Sequence, residues 1–184
     1  MDAAAQLLLR TDYQSTSTNR IAELAGVSIG SVYQYFADKN EIYDAVLDSY
    51  SSRLVTGLRA VTPDPAMGLQ ETLEALVFSV YSADPDGPLL LRRIRQAPDA
   101  HFQEKLQNAK AQIAEFLRGV LIRRPESLDV SDLNLSLRIL IDAVEGIFIN
   151  APVGQDPRVL ARELARLIAR YLLAPGPARP RTAG

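Results

Sequence analysis

Between Ser17 and Lys39 the chain concentrates side chains that suit surface recognition rather than bond-making. Ser17, Thr18, Ser28, Ser31, Tyr33, Gln34, Tyr35 and Lys39 bring hydroxyls, an amide and an ammonium group. Such groups hydrogen-bond to phosphate oxygens and to the edges of bases. The chain holds no cysteine and a single histidine, His101. Thiolate catalysis, disulfides and zinc–thiolate sites are thereby removed, and a histidine-based metal site with them. No nucleophile elbow, phosphate loop or carboxylate pair falls in a workable arrangement. The sequence reads as a non-enzyme that needs no cofactor and no metal.

These residues need elements to hold them. The apolar pattern is helical almost throughout, with no period-2 run between hairpin turns. Turns rich in Pro, Gly or Asp cut it into about nine helices, expected over 2–11, 18–25, 29–36, 39–60, 66–82, 88–97, 99–122, 131–150 and 157–173. The expected fold class is all-α. Short helices come first and long ones later. Residues 1–50 therefore read as a small module, 51–174 as a helical bundle, and the Pro-, Gly- and Arg-rich 175–184 as a disordered tail. A long fourth helix joins the two parts, with Ile42, Tyr43, Val46, Leu47, Tyr50 and Leu54 as its buried stripe. Asp38 and Glu41 at its start have capping-box spacing.

Rotated by about 100° per residue, helix 29–36 places Val32 and Phe36 together beside Ile29. Gly30, Ser31 and Gln34 fall on the opposite side, flanked by Tyr33 and Tyr35. That side is small and polar, shaped for close approach to a surface. The preceding helix completes a motif. Ala22 is small where a second helix crosses, Gly26 tolerates φ > 0 at the turn, and Val32 is the apolar plug. Ser28 is a natural N-cap. Gly30 costs up to about 1 kcal/mol relative to alanine in a helix interior. Its missing side chain lets backbone come near a phosphate or base; taken alone, it also reads as a residue that eases a tight turn. Charge weighs the other way. Net charge is −2, and residues 1–50 carry three basic side chains (Arg10, Arg20, Lys39) against seven acidic ones.

The stretch TSTNRIAELAGVSIGSVYQYFADKNEIYDAVL resembles the DNA-binding module of TetR-family transcriptional regulators. The match runs through Thr16, Ser17, Ile21, Ala22, Ala25, Gly26, Val27, Ser28, Gly30, Tyr33, Tyr35, Phe36 and Lys39, and covers residues 2 to about 50. The resemblance implies that helix 29–36 enters the major groove of double-stranded DNA with its N-terminal residues at base edges. Ile29 and Ser31 are then the base readers, and Gln34 bonds an adenine or a phosphate. Tyr33 and Tyr35 reach phosphates from the flanks, and Ser28 and Gly30 share the contact face. Lys39, at the start of the fourth helix, is expected to clamp a phosphate together with the helix N-terminus. Ser17 or Thr18 offers a second clamp, Ser17 serving equally as an N-cap.

Helix 131–150 has two apolar stripes, and both must be covered. Leu133, Leu137, Leu140, Ile141, Val144 and Phe148 form one; Leu135, Ile139, Gly146 and Ile149 form the other. Helix 157–173 carries Leu160, Leu164, Leu167, Ile168 and Tyr171 on one face, with Arg158, Arg162, Arg166 and Arg170 on a solvated one. The resemblance implies that these two helices form a four-helix interface between two copies. Such a homodimer presents its recognition helices about one DNA turn (roughly 34–36 Å) apart to a palindromic operator. Phe78, Tyr81, Phe102, Phe116 and Phe148 are candidates for an apolar ligand cavity, though each also reads as plain core. Asp142 and Glu145 are candidates for pairing across the dimer or for a cationic or hydroxylated ligand. His101 is expected at a cap or in solvent, and Arg92, Arg93 and Arg95 on an exposed face.

The resemblance thus implies a ligand-responsive, homodimeric repressor that an unidentified small molecule releases from its operator. An activator of the same family, and a helical dimeric binding protein that no longer contacts DNA, are the alternatives. With no basic n-region and no apolar run approaching ~18 residues, a cytoplasmic protein without a membrane partner is expected. The opening MDAAAQLLLR reads as the middle of a first helix, so a basic arm upstream is expected to supply the missing positive charge.

Overall fold

The computed structural model describes residues 2–61, 66–96, 100–124, 126, 128–152 and 154–173. Among these residues there are nine helices and no strand: α1 (Asp2–Arg10), α2 (Thr18–Ala25), α3 (Ile29–Tyr33), α4 (Lys39–Ala60), α5 (Leu69–Ala83), α6 (Gly87–Arg95), α7 (Ala100–Leu121), α8 (Leu133–Asn150) and α9 (Pro157–Leu173). The all-α expectation holds, with every boundary within three residues of its expected place. The expected tail 175–184 lies outside the described residues.

Local chemistry sets the boundaries. Ser17, Ser28, Asp38 and Asp132 cap α2, α3, α4 and α8 by accepting the N–H of Arg20, Ser31, Glu41 and Leu135. Glu41 reaches back to the Ala37 N–H at 2.6 Å, one residue before the cap, so the expected capping box is shifted rather than closed on Asp38. Gly26 ends α2 in the left-handed region, φ 68°, where only glycine is free of strain. α3 is three residues shorter than expected. The chain leaves the helix after Tyr33 and folds Phe36 back against the core.

The buried apolar residues form two cores, the first of them along α4. The first joins Leu8, Ile21, Val32, Tyr43 and Leu47 of the N-terminal module to Ile94 of α6, Phe102 of α7 and Phe148 and Ile149 of α8. The second gathers Leu73 and Val77 of α5, Leu137 and Leu140 of α8, and the inner face of α9. That inner face is Ala161, Leu164, Ala165, Ile168, Ala169 and Leu172, all buried. Alanines four residues apart bring the α9 backbone close to α5. Leu164 and Ile168, expected at a partner interface, are therefore in the protomer's own core. Ile149 is corrected in the same way: it packs in the first core, and the Arg92 guanidinium donates to its carbonyl. α6 rests directly on α4, because a Cβ at Gly87 would stand only 2.7 Å from Tyr50 Cε2.

Candidate DNA-binding surface and ligand cavity

α2 and α3 cross at Ala22 and Val32, both buried, with Gly26 making the turn between them. The Thr18 and Tyr33 hydroxyls lie 3.2 Å apart, which ties the start of α2 to the end of α3. Ser28 Oγ accepts the Ser31 N–H at 3.0 Å and lies 2.8 Å from Ser31 Oγ. Ser17 is the N-cap of α2, half-buried beside the same surface. Outside this frame Ile29, Gly30 and Tyr33 are exposed, Gln34 follows as the C-cap of α3, and Tyr35 is 80% exposed. Val27 also stands exposed at this tip. It is an apolar residue at the mouth of the turn that the helical-wheel reading of 29–36 did not reach.

Gly30 has no structural reason to be glycine. Its φ is not positive, and a Cβ there would meet only Ser28 Oγ at 3.7 Å, an ordinary contact. The missing side chain leaves a dimple on the outer surface and nowhere else.

Lys39 differs from expectation. Its Nζ donates to the backbone carbonyls of Tyr13 at 3.0 Å and Thr16 at 3.3 Å, and stands 4.1 Å above the Tyr13 ring. The ammonium faces into the chain and closes the α1–α2 turn instead of pointing at a phosphate. Arg20 does the same from the other side, donating to the Ser15 carbonyl at 2.9 Å. Tyr43 reinforces the turn by hydrogen-bonding Thr16, whose own hydroxyl donates to the Tyr13 carbonyl at 2.7 Å. Burial pushes the Tyr43 phenol up to about 12. Sequence reasoning placed Tyr43 in the buried stripe but missed this polar lock, because its members lie 27 residues apart.

The acidic balance of the module has a structural account. Asp44 and Asp48 are drawn to α7, where Asp44 meets His101 at 2.9 Å and Lys105 at 3.6 Å, and Asp48 meets Lys105 at 2.8 Å. His101 is thus a partner of α4 rather than a cap. Asp38 and Glu41 serve the start of α4. Asp12 accepts the Ser15 N–H at 2.6 Å, a hydrogen bond that holds its carboxyl below the ordinary range. Five of the seven acidic side chains in residues 1–50 are engaged within the chain.

Helices α4 to α9 line a partly open cavity of about 140 Å³. Of the aromatic candidates only Phe148 is on its wall. Phe78 lies 5.4 Å beneath the Arg158 guanidinium, Tyr81 stands edge-on to Phe148 at 4.6 Å, and Phe102 stands edge-on to Tyr13 at 5.9 Å in the first core. Phe116 is half-buried and off the wall. The wall is instead aliphatic, built from residues such as Leu54, Leu73, Leu106 and Val144. Asp142 is off it too, 54% exposed and paired with Lys110 at 2.7 Å. Lys110 and Glu145 do line the cavity, 2.6 Å apart, and Arg95 of α6 holds Glu145 at 2.6 Å. Burial opposes the charge on Lys110, but its hydrogen bonds to Asp142 and Glu145 prevail and raise its pKa.

A separate apolar surface runs over α8 and α9. Leu135, Ile139 and Ile147 are exposed on α8, and Leu167 and Tyr171 on α9, with Gly146 also open. The Tyr171 and Ser136 hydroxyls lie 3.1 Å apart and link the two helices. Leu160 is half-buried at a groove that Ile147 and Leu167 share. No helix among the described residues is long and apolar enough to cross a membrane, and none of them form a metal-ligating group of three.

Residues 1–46, which carry the Gly26 turn and the α3 tip, match the family model "Bacterial regulatory proteins, tetR family". The N-terminal module of this chain is therefore similar to that of the tetR family. The chain is 34% identical over 92 residues to the HTH-type transcriptional activator FasR of Mycolicibacterium smegmatis, covering 48% of the chain and 42% of that relative. It is 34% identical over 85 residues to the HTH-type transcriptional repressor KstR2 of Rhodococcus jostii, covering 45% and 40%. The match therefore spans less than half the length of each of these two relatives. Its fold is similar to that of the fatty acid degradation regulator FadR from Bacillus halodurans, with a TM-score of 0.73 over 91% of each chain at 21% identity.

Proposed function

We propose that this chain binds a palindromic operator as a homodimer in the cytoplasm and that a small molecule in the α4–α9 cavity releases it. The observation that carries the reading is the tip of the module, where a locked α2–α3 pair presents exposed Ile29, Gly30, Tyr33 and Tyr35. Ile29 and Ser31 read base edges, and Gln34 an adenine or a phosphate. Thr18, Tyr33 and Tyr35 reach phosphates at the flanks. Ser17 and Ser28 hold the helix starts that face the backbone. Lys39 acts behind this surface as a positioning residue.

The partner copy lies on the exposed α8–α9 surface, through Leu135, Ile139, Gly146, Ile147, Leu167 and Tyr171. Ligand and DNA compete because α4 begins in the module and ends on the cavity wall. A coupling of about 1–3 kcal/mol between the two sites suffices for a switch. One structural neighbour is named for fatty acid degradation, and an aliphatic cavity suits an apolar metabolite here too. Repression is the simplest outcome of operator binding. Activation by the same dimer is the second reading, supported by relatives of both kinds.

Selection of binders from a randomised duplex library at two salt concentrations tests the proposal. An enriched palindrome whose affinity falls steeply with salt is expected, since phosphate contacts release counterions. Recovery of no sequence at either concentration would leave a helical dimer that does not bind DNA.

A further inference from the structure

Val27 is held firmly by its backbone and left uncovered at its side chain. The Gly26 N–H donates to the Glu23 carbonyl at 3.1 Å, and the Val27 N–H to the Ala22 carbonyl at 3.0 Å. These two bonds make a Schellman turn, in which the residue after the glycine frequently packs an apolar side chain on the last turn of the helix. Here the residue it would meet is Ala22, which is small and already only 3% exposed. Val27 stays 47% exposed. Its β-branched side chain has little rotamer freedom, so its two methyls point where the turn sets them.

Ile29, 37% exposed, stands on the other side of the Ser28 cap. Ser28 itself is engaged, accepting the Ser31 N–H at 3.0 Å. Gly30 adds no side chain that would fence the pair off. Cations are scarce: of the three in residues 1–50, Arg20 and Lys39 donate to carbonyls of their own chain. The edge of the surface formed by Val27 and Ile29 is therefore apolar. In the major groove the group that favours an apolar side chain is the 5-methyl of a pyrimidine. Thymine carries it, and so does a cytosine methylated at C5.

Resting on the reading of this tip as a DNA-binding surface, we propose that Val27 is a second apolar base reader beside Ile29, and that the two side chains take the 5-methyl groups of two pyrimidines in each half-site. Phosphates, sugars and uracil carry no such group. Binding therefore depends on methylation at C5 as well as on base sequence. A half-site with cytosine at the place Val27 contacts is bound more tightly when that cytosine is methylated.

Fluorescence anisotropy of the full chain tests this on a duplex recovered by selection, with its thymines replaced one at a time by deoxyuridine. At two positions per half-site, loss of the methyl should weaken binding about fourfold, the effect of one buried carbon at 25 °C. Cytosine placed at the position coupled to Val27 should gain about the same factor when methylated at C5. Val27→Ala should weaken binding to the thymine duplex about fourfold, leave the matching deoxyuridine duplex unaffected and abolish the response to cytosine methylation. Ile29→Ala should couple in the same way to the other thymine. The slope of log K against log salt should stay constant throughout, since no phosphate contact is lost.

A turn merely loosened by Val27→Ala would weaken thymine and deoxyuridine duplexes alike, and that result would overturn the role given to Val27. So would deoxyuridine duplexes that all bind as tightly as the parent. Thymine sensitivity without a gain on cytosine methylation would overturn the methylation response and leave Val27 a reader of thymine alone. If no duplex is recovered, the DNA-binding reading fails and this one with it; if duplexes bind with no methyl effect, this one fails by itself.

Discussion

Replacing Lys39 with methionine separates two roles open to a lysine that starts a helix beside a DNA-facing surface. Its ammonium donates to the Tyr13 and Thr16 carbonyls at 3.0 and 3.3 Å and lies 4.1 Å over the Tyr13 ring. A hydrogen bond from a charged donor contributes about 1.5–3 kcal/mol when desolvated. Lys39 is half-buried, so about 0.7 kcal/mol from each bond is the fitting share once solvent screening is included. The ring adds about 0.5–1 kcal/mol. Methionine keeps most of the aliphatic stem, so the expected loss is about 2 kcal/mol, or a drop in Tm of about 4–8 °C for a chain of this size. Duplex binding should weaken through the loosened α1–α2 turn, by the same factor at every salt concentration. A lost phosphate contact behaves differently, removing about 0.9 from the slope of log K against log salt. Thermal melts and fluorescence anisotropy on a selected duplex between about 50 and 200 mM salt read both quantities. A slope lowered by about one with an unchanged Tm would refute the inward role.

The two glycines of the recognition motif should part company. Gly26→Ala has open space for its Cβ but keeps φ at 68°, so a stability loss of about 1–2 kcal/mol is expected in urea titrations. Gly30→Ala should leave stability equal or raise it by up to about 1 kcal/mol while weakening duplex binding; unchanged affinity would take Gly30 out of the contact face. Leu167→Glu should leave the melt unchanged and halve the particle mass in sedimentation. Leu164→Glu should instead lose about 3–5 kcal/mol of stability by burying an unpaired charge. Hydrogen bonding from Arg124 above all, and from the Leu69 N–H, holds the Glu126 carboxyl below its usual 4.5. A depressed folded value means that its stabilisation is complete above about pH 4.5 and fades as pH falls through the folded value. Glu126→Gln should flatten that acid limb in melts recorded at about pH 6 and pH 3.5 without changing the fold.

The elements that sequence reading places well are those with local causes. Ser17, Ser28, Asp38 and Asp132 mark helix starts because a cap needs only the next three residues. Gly26 marks the turn because positive φ is a property of one residue. Orientation is a different matter. Lys39 finds its carbonyls 26 and 23 residues earlier, and no pattern around position 39 announces them. On α9 the leucines drew the eye, whereas Ala161, Ala165 and Ala169 settle which side approaches α5. Hydropathy weights a leucine above an alanine, but close helix packing rewards the small side chain. On α8 the exposed residue is Ile147 and the buried one Ile149, a difference of two positions set by contact with α6. The cavity was the least legible feature. Its wall is written in the same leucines and valines as any core, and the large aromatics were pulled to the seams between helices.

The first core also bears on how such a protein can be taken apart. Tyr13 packs on Phe102 of α7 at 5.9 Å, Asp44 and Asp48 find their counterions on the same helix, and α6 covers Leu8 and Leu47. A chimera cut at residue 50 and joined to a foreign sensor would uncover these side chains and strand both carboxylates. A workable exchange would transplant α6 and the first turns of α7 along with the module. Divergence faces the same constraint: substitutions at the base of α4 are acceptable only in company with matching ones more than fifty residues downstream.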